Sequence, residues 1–141
     1  MLKTLLPVDG SKASLHAALH VIKLAQGGAP MAVVLANVCL PAEAWEVRSF
    51  LKDSEIQALQ DARGNDALDA AATLLDAAGI AYERRLLHGN IAESLVALAH
   101  ETRCDKIVMG ARGESLLAEI LIGSVTQEVI RLSDIPVTVV K

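Results

Sequence analysis

Residues 109–126, MGARGESLLAEILIGSVT, join a segment predicted to be a buried strand to a segment predicted to be a helix. The apolar run Ile107, Val108 and Met109 indicates the strand, and residues 124–132 have the pattern of a helix. Strand-to-helix connections in α/β units usually take about 2–6 residues. Because this connection is longer, it indicates a binding loop within an α/β fold rather than a simple link.

Three glycines mark this loop, at positions 110, 113 and 123, and Ser124 follows the last of them. Glycine allows a backbone to approach a ligand closely. A serine at a helix start places its hydroxyl beside the first free N–H groups, which favours an anion such as phosphate. The spacing Gly110-x2-Gly113-x9-Gly123-Ser124 therefore predicts a phosphate-binding loop. The alternative needs no ligand: Ser124 and Gln127 would form a capping box that only starts the helix.

Composition limits the classes of protein that fit. The 141 residues suffice for one domain, and we expect residues 1–141 to form it. The hydrophobic fraction of 52% includes only one Phe, one Trp and one Tyr, so the core is built from Ala, Leu, Val and Ile, as in helices packed on a parallel sheet. A formal charge of −4 without a basic block disfavours nucleic acid and anionic membranes as partners.

The sequence also predicts the cellular environment. No apolar run approaches the roughly 20 residues that cross a bilayer, and no signal-peptide pattern is present, so we expect a cytoplasmic protein. Cys39 and Cys104 are too few for a disulfide framework. They fall at opposite edges of a parallel sheet, and we expect two thiols.

Strands and helices alternate along the chain in the order βαβαβαβαβ. The predicted strands cover 2–8, 32–39, 80–88, 106–110 and 136–140, and the helices cover about 12–26, 54–78, 91–102 and 124–132. Ser11 and Asn90 are predicted N-caps. Alternation of this kind favours parallel pairing through right-handed crossovers. The predicted fold is thus a three-layer α/β sandwich with helices on both faces of one parallel sheet.

Helical spacing also predicts which residues face the sheet. In the first helix Leu15, Leu19 and Ile22 recur on one face. In the second helix Gly64 is expected to weaken the middle, and the residues near helical spacing are Ile56, Leu59, Ala67, Ala71, Leu74 and Ala78. In the third, the ridge is Ile91, Leu95, Leu98 and Thr102.

Ligands in open parallel sheets bind outside the carboxyl ends of the strands, where the strand order reverses. The glycine loop and Asp9 both follow strands at this edge, so they indicate one crevice. Asp9 could place a ligand or a metal-bound phosphate there, or only complete an Asx turn.

No metal-ligand set is predicted from the sequence. His16 and His20 have the spacing of a zinc pair, but no third ligand is near and Lys23 shares their face, which favours a solvated surface. His88 is expected to be structural or exposed.

The motif and its context resemble the universal stress protein family, whose ATP-binding members carry G-x2-G-x9-G-[ST] after the fourth strand. The resemblance extends over the whole chain through KTLLPVDGS, ANV, KIVMGARG, IGSVTQEVI and PVTVVK. The loop lacks the lysine of a Walker A motif and the GxGxxG of dinucleotide folds.

This resemblance implies a flavodoxin-like (Rossmann-like) fold with strand order 3-2-1-4-5 and a site for ATP, alone or with Mg²⁺ or Mn²⁺. It implies that adenosine lies against Pro7, Val8 and Asp9, with Val38 at the base. The ribose and phosphates would contact Met109, Gly110, Gly113, Gly123, Ser124 and Val125. Arg112 stands where many relatives carry His, and it either reaches the phosphates or is a solvated side chain.

No nucleophile with an adjacent base can be named, so catalysis, if present, is at most slow ATP hydrolysis. Our first hypothesis is an ATP-binding stress-response protein that acts as a ligand-set switch, in which nucleotide orders loop 111–122 and changes the surface offered to an unknown protein partner. The alternatives are a nucleotide-free dimeric interaction module and a slow ATPase or autophosphorylating protein.

The end of the chain predicts self-association. The terminal strand Val137–Val140 is expected at a sheet edge, where relatives commonly pair to form homodimers. An apolar group in the loop would either cover the ligand or join that interface: Leu116, Leu117, Ile120, Leu121 and Ile122.

Overall fold

The computed structural model describes residues 1–39, 52–111 and 122–141. Arg112 and Gly113 lie outside these ranges, as do four residues of the apolar group, Leu116, Leu117, Ile120 and Leu121. The elements follow one another as β1 (Leu2–Pro7), α1 (Lys12–Gln26), β2 (Met31–Cys39), α2 (Asp53–Ala77), β3 (Tyr82–His88), α3 (Ile91–Glu101), β4 (Lys106–Gly110), α4 (Ser124–Leu132) and β5 (Val137–Val140). The predicted alternation of strands and helices is confirmed.

All five strands pair in parallel in the order β3-β2-β1-β4-β5. This is the 3-2-1-4-5 order that the resemblance implied. Strand β1 therefore lies at the centre, between β2 and β4, and the order reverses beside it. The carboxyl ends of β1, β2 and β4 meet at one edge of the sheet.

Helices cover both faces of the sheet, which makes three layers. Helices α1 and α2 pack on the face that carries Leu6, Leu35 and Val108. Helices α3 and α4 pack on the face that carries Leu5 and Val34. The two apolar cores alternate along each strand because successive side chains point to opposite faces.

The predicted sheet-facing side of α1 is wrong in part. Its buried residues are Ser14, Ala17, Ala18 and Val21, whereas Leu19 is 48% exposed. Small side chains on the buried side let the helix axis approach the sheet closely, and the larger leucines lie towards its margins. Hydrophobic spacing alone does not reveal this preference for small residues.

Helix α2 shows the same effect. Leu59 is 47% exposed, while Gln60 and Gly64 are buried against the sheet. A Cβ atom on Gly64 would lie 2.6 Å from both Asn37 Oδ1 and Leu86 Cδ1. The glycine that the sequence marks as a weak point of the helix is therefore the position where α2 lies closest to β2 and β3.

The predicted helix starts and thiols are confirmed. Ser11 accepts a hydrogen bond from Ser14 N, and Asn90 Oδ1 accepts one from Glu93 N. Cys39 and Cys104 are both free and buried. In the described ranges, no helix has the length and apolar character that crossing a bilayer would require.

Candidate functional site

The end of β1 is held firmly at the carboxyl edge. Val8 N donates to Ala36 O at 2.8 Å, and Val8 O accepts from Asn37 Nδ2 at 2.8 Å. The Val8 side chain is buried in the core beneath α1 and α2. Since both of its backbone groups are already paired, Val8 contributes shape to the site rather than hydrogen bonds.

Asp9 follows at the start of the turn into α1, and its side chain is exposed. Its Oδ1 atom accepts from Ser11 N at 2.9 Å, which forms the Asx turn considered above. This bond occupies one carboxylate oxygen. The turn therefore uses one carboxylate oxygen and leaves Oδ2 outside this hydrogen bond, so a structural role and a binding role are compatible.

A cavity of about 570 Å³ opens at this edge. Its described walls are the ends of β1 and β2, one side of α2 and Ile91, the first residue of α3. The volume lies within the roughly 300–1,000 Å³ typical of sites for small organic ligands. Of the predicted site residues, the cavity brings together Asp9 and Val38.

The wall that α2 supplies was not predicted from the sequence. This wall includes Gln60, Arg63, Gly64 and Ala67, and Asn37 was likewise not predicted. The helical spacing of residues 60, 64 and 67 indicates that they share a face. Nothing in the sequence places that face over the end of β2, because the position depends on the packing around Gly64.

The start of α4 is fastened to the end of β4. Gly123 N donates to Ala111 O at 2.6 Å, and the Thr126 hydroxyl donates to Gly110 O at 2.9 Å. Thr126 is only 3% exposed, so this second bond is sheltered from water. The first turn of α4 therefore has a fixed position at the carboxyl edge. Thr126 was not predicted as a site residue, although the sequence places it in the first helical turn after Gly123 and Ser124.

The capping-box alternative for Ser124 is wrong. Gly123 is the N-cap, with φ −61° and ψ 156° and no side-chain cap, and Ser124 is the first helical residue. Gln127 Nε2 donates instead to Ile122 O at 2.7 Å. In any α-helix, the N–H groups at this end have no acceptor within the helix. The N–H groups of residues 124–126 and the exposed Ser124 hydroxyl thus form a positive helix end suited to an anion.

The other predicted site residues that the structure describes lie next to the cavity and the start of α4, but they do not line the cavity. Pro7 is half-buried and pairs with Ala36 of β2. Met109 and Val125 pack into the core between the sheet and α3–α4. Gly110 lies directly beneath Ala13 of α1. The structure therefore groups those predicted residues that it describes at one edge, and only some of them border the cavity.

The titratable groups in the described cavity wall do not form a catalytic set. Burial raises the pKa of the Cys39 thiol, and the nearby Asp61 carboxylate raises it further. A thiol held protonated in this way is a poor nucleophile at neutral pH. The described lining residues include no histidine or lysine; His88, whose imidazole lies within 4.8 Å of the thiol, is not among them.

Comparisons with known proteins agree with this geometry. A sequence model described as the universal stress protein family matches residues 1–141. Universal stress protein MJ0531 of Methanocaldococcus jannaschii is 35% identical over 146 residues, covering 99% of this chain and 81% of that protein.

Two solved structures extend the comparison. That of MJ0577, from the same organism, has a TM-score of 0.85 at 30% identity, with 99% of this chain and 94% of that chain covered. A universal stress protein in complex with cAMP has a TM-score of 0.68 at 29% identity, with 99% and 97% covered.

Proposed function

The chain belongs to the universal stress protein family, and from this premise we propose that it binds ATP at the carboxyl edge of the sheet as a ligand-set regulatory switch. The observation that carries this proposal is the attachment of α4 to β4 through Gly123 N and Thr126 Oγ1. A phosphate-binding end that is already fixed does not have to be ordered when the ligand arrives. The binding energy is therefore not spent on forming this end of the site.

The cavity supplies the second half of the proposed site. Its volume of about 570 Å³ suits the adenosine part, and Val38 offers an apolar surface to the base. The free carboxylate oxygen of Asp9 is available for the ribose or for a metal ion bound to phosphate. A related structure at 29% identity holds cAMP, which supports an adenine nucleotide as the ligand class.

The phosphates would lie at the start of α4. Ser124 offers its hydroxyl, and the N–H groups of Ser124 and Val125 face the same way as the helix end. Pro7, Met109 and Gly110 would shape the floor between the two halves. Arg112 and Gly113 belong to the same proposal through the sequence motif, and they lie outside the described residues.

We propose a switch rather than an enzyme because the sequence motif names no nucleophile with an adjacent base. A ligand shifts a conformational equilibrium only when it binds one state more tightly than the other. In this proposal, the nucleotide-bound state presents a different surface to a partner protein. Homodimer formation through β5 is part of the same proposal.

Calorimetric titration of MgATP into the purified chain tests the proposal, with Gly123→Val as the main variant. The backbone of Gly123 has a negative φ that valine can adopt, so the added side chain fills the space for phosphate without straining the turn. Ala97→Val places the same side chain at an exposed position of α3 and serves as the control. We expect micromolar binding to the parent and control, and a loss of about 100-fold or more in the variant.

Parallel titrations with AMP and cAMP establish which adenine nucleotide is preferred. If the parent chain binds none of the three, the nucleotide site does not exist and the interaction-module interpretation replaces it. Steady release of phosphate at high protein concentration would contradict a switch that works without turnover.

A further inference from the structure

Three side chains of different chemistry converge beside the cavity. Cys39 ends β2 and His88 ends β3, and the two residues are paired in the parallel register of these strands. Asp61 reaches them from α2, and its Oδ1 atom lies 2.6 Å from His88 Nε2. One ligand atom from each of the three residues falls within 4.8 Å of the other two.

The combination of a thiol, an imidazole and a carboxylate selects a class of metal ion. Mg²⁺ and Ca²⁺ prefer oxygen ligands, whereas Zn²⁺ combines Cys, His and Asp in one tetrahedral site. We propose that Cys39, Asp61 and His88 bind Zn²⁺, with water as the fourth ligand. This proposal does not rest on nucleotide binding, because it needs only these three side chains.

The distances require little rearrangement. Ligand atoms around tetrahedral Zn²⁺ lie about 3.5 Å apart, so the contact between His88 and Asp61 must open by about 1 Å. Both side chains are 39% exposed and have room for this movement. Solvent also reaches the two residues, which gives the ion a path of entry.

The backbone around the cluster is fixed, so the ligands do not have to be assembled from a mobile region. Gly89 N donates to Cys39 O at 2.9 Å, which continues the contact between β2 and β3 beyond their last residues. Cys39 Sγ lies 3.5 Å from Gln60 O of α2. The three elements that supply the ligands are thus joined at the site itself.

A buried amide lies on the same residue that Cys39 contacts. Gln60 is 5% exposed, and its Nε2 atom has no hydrogen-bond partner in the described part of the chain. Gln60 and Cys39 line the same cavity. A buried donor without an acceptor is unfavourable. When Zn²⁺ binds, the S–H bond of Cys39 breaks, a Zn–S bond forms, and the proton passes to solvent, which makes the sulfur a stronger hydrogen-bond acceptor on this wall.

Cobalt substitution is the most direct test, because a thiolate ligand to Co²⁺ gives a near-ultraviolet charge-transfer band. CoCl₂ is titrated into the reduced full chain and into Cys39→Ser, with Cys104→Ser as the matched control for the other buried thiol. We expect one Co²⁺ per chain and a charge-transfer band in the parent and in the Cys104 variant. The Cys39 variant should lack the band.

Zinc affinity, measured by competition with a chromophoric chelator, tests the other two ligands. His88→Gln and Asp61→Asn should each weaken zinc binding by more than about 100-fold. Loss of a residue that only hydrogen-bonds a metal ligand typically costs 10–100-fold, and loss of a ligand itself should cost more. His16→Gln, which alters an exposed histidine on α1, should leave the affinity unchanged.

Thermal unfolding without metal establishes whether each variant is folded. His88→Gln should remain folded, because the His88 side chain is exposed at a strand end. The proposal is wrong if the parent shows no charge-transfer band. It is equally wrong if the band survives in Cys39→Ser, or if the affinity of folded His88→Gln equals that of the parent.

Discussion

A Cβ atom added to Gly110 would lie 2.7 Å from the carbonyl carbon of Ala13 and 2.8 Å from its Cβ atom. Helix α1 thus crosses the end of β4 at a distance that only glycine allows. The first glycine of the loop motif therefore has a packing role that is independent of any ligand. Its presence in the motif does not by itself indicate a phosphate.

Gly110→Ala should lower the free energy of unfolding by about 1–3 kcal/mol, because the clash is with backbone atoms that cannot rotate away. Gly123→Ala is the comparison. Because Gly123 is an N-cap with a negative φ, this variant should lose no more than about 1 kcal/mol of unfolding free energy. Urea denaturation measures both. Equal losses in the two variants would contradict the packing role of Gly110.

Thr126→Val should cost about 1–3 kcal/mol of stability, because it leaves the Gly110 carbonyl without its sheltered hydrogen bond. Thr73→Val removes a hydroxyl bonded to Asp69 O, but Thr73 is exposed and should change stability by less than about 0.5 kcal/mol. Urea denaturation of both variants gives the comparison. A Thr126 variant as stable as the Thr73 variant would show that the attachment of α4 to β4 is weak.

Ser124→Ala should weaken ATP binding roughly 10–100-fold, since a hydrogen bond to a charged group contributes about 1.5–3 kcal/mol. The stability of the fold should not change, because Ser124 is exposed and does not cap the helix. Titration with adenosine provides the control, because adenosine has no phosphate. If adenosine binding weakens as much as ATP binding, Ser124 does not contact the phosphates.

Val139→Pro should dissociate a homodimer paired through β5. Ile107 N and Ala111 N bond the carbonyls of Pro136 and Val140, so the alternation of a parallel ladder directs the N–H of Val139 away from the sheet. Proline removes that donor without breaking the bonds to β4. Val139→Ala keeps the donor and should remain dimeric. Sedimentation velocity at micromolar concentration distinguishes the two, and a monomeric parent would refute the dimer.

Alkaline pH should destabilise the fold through its two thiols. Burial raises the pKa of both Cys39 and Cys104 above the ordinary thiol value. The unfolded chain therefore releases these protons first, from about pH 8.5, and stability falls as pH rises towards the folded pKa values. The double Cys→Ser variant should lose less stability than the parent between neutral and alkaline pH. Urea denaturation at each pH gives the free energy of unfolding. If this free energy falls equally with pH in the parent and in the variant, the thiols do not contribute.

The sequence predicted the architecture well because its signals are local. Apolar runs of strand length, helical spacing and the N-caps Ser11 and Asn90 lie within one or two turns of chain. The order of elements then restricts the sheet to parallel pairing. The exposed Leu19 and Leu59 show the limit of this approach, since hydrophobicity alone does not show that small residues form the closest contacts.

By itself, the sequence determined the order of elements, the α/β class and the edge of the sheet at which Asp9 and Gly110 lie. Only the tertiary structure decided that α2 forms a cavity wall, that Gly110 lies under Ala13, and that Asp61 meets His88 from 27 residues away. The physical reason is that these contacts depend on how closely whole helices approach the sheet. That distance is set jointly by side chains on separate elements, which no local pattern records.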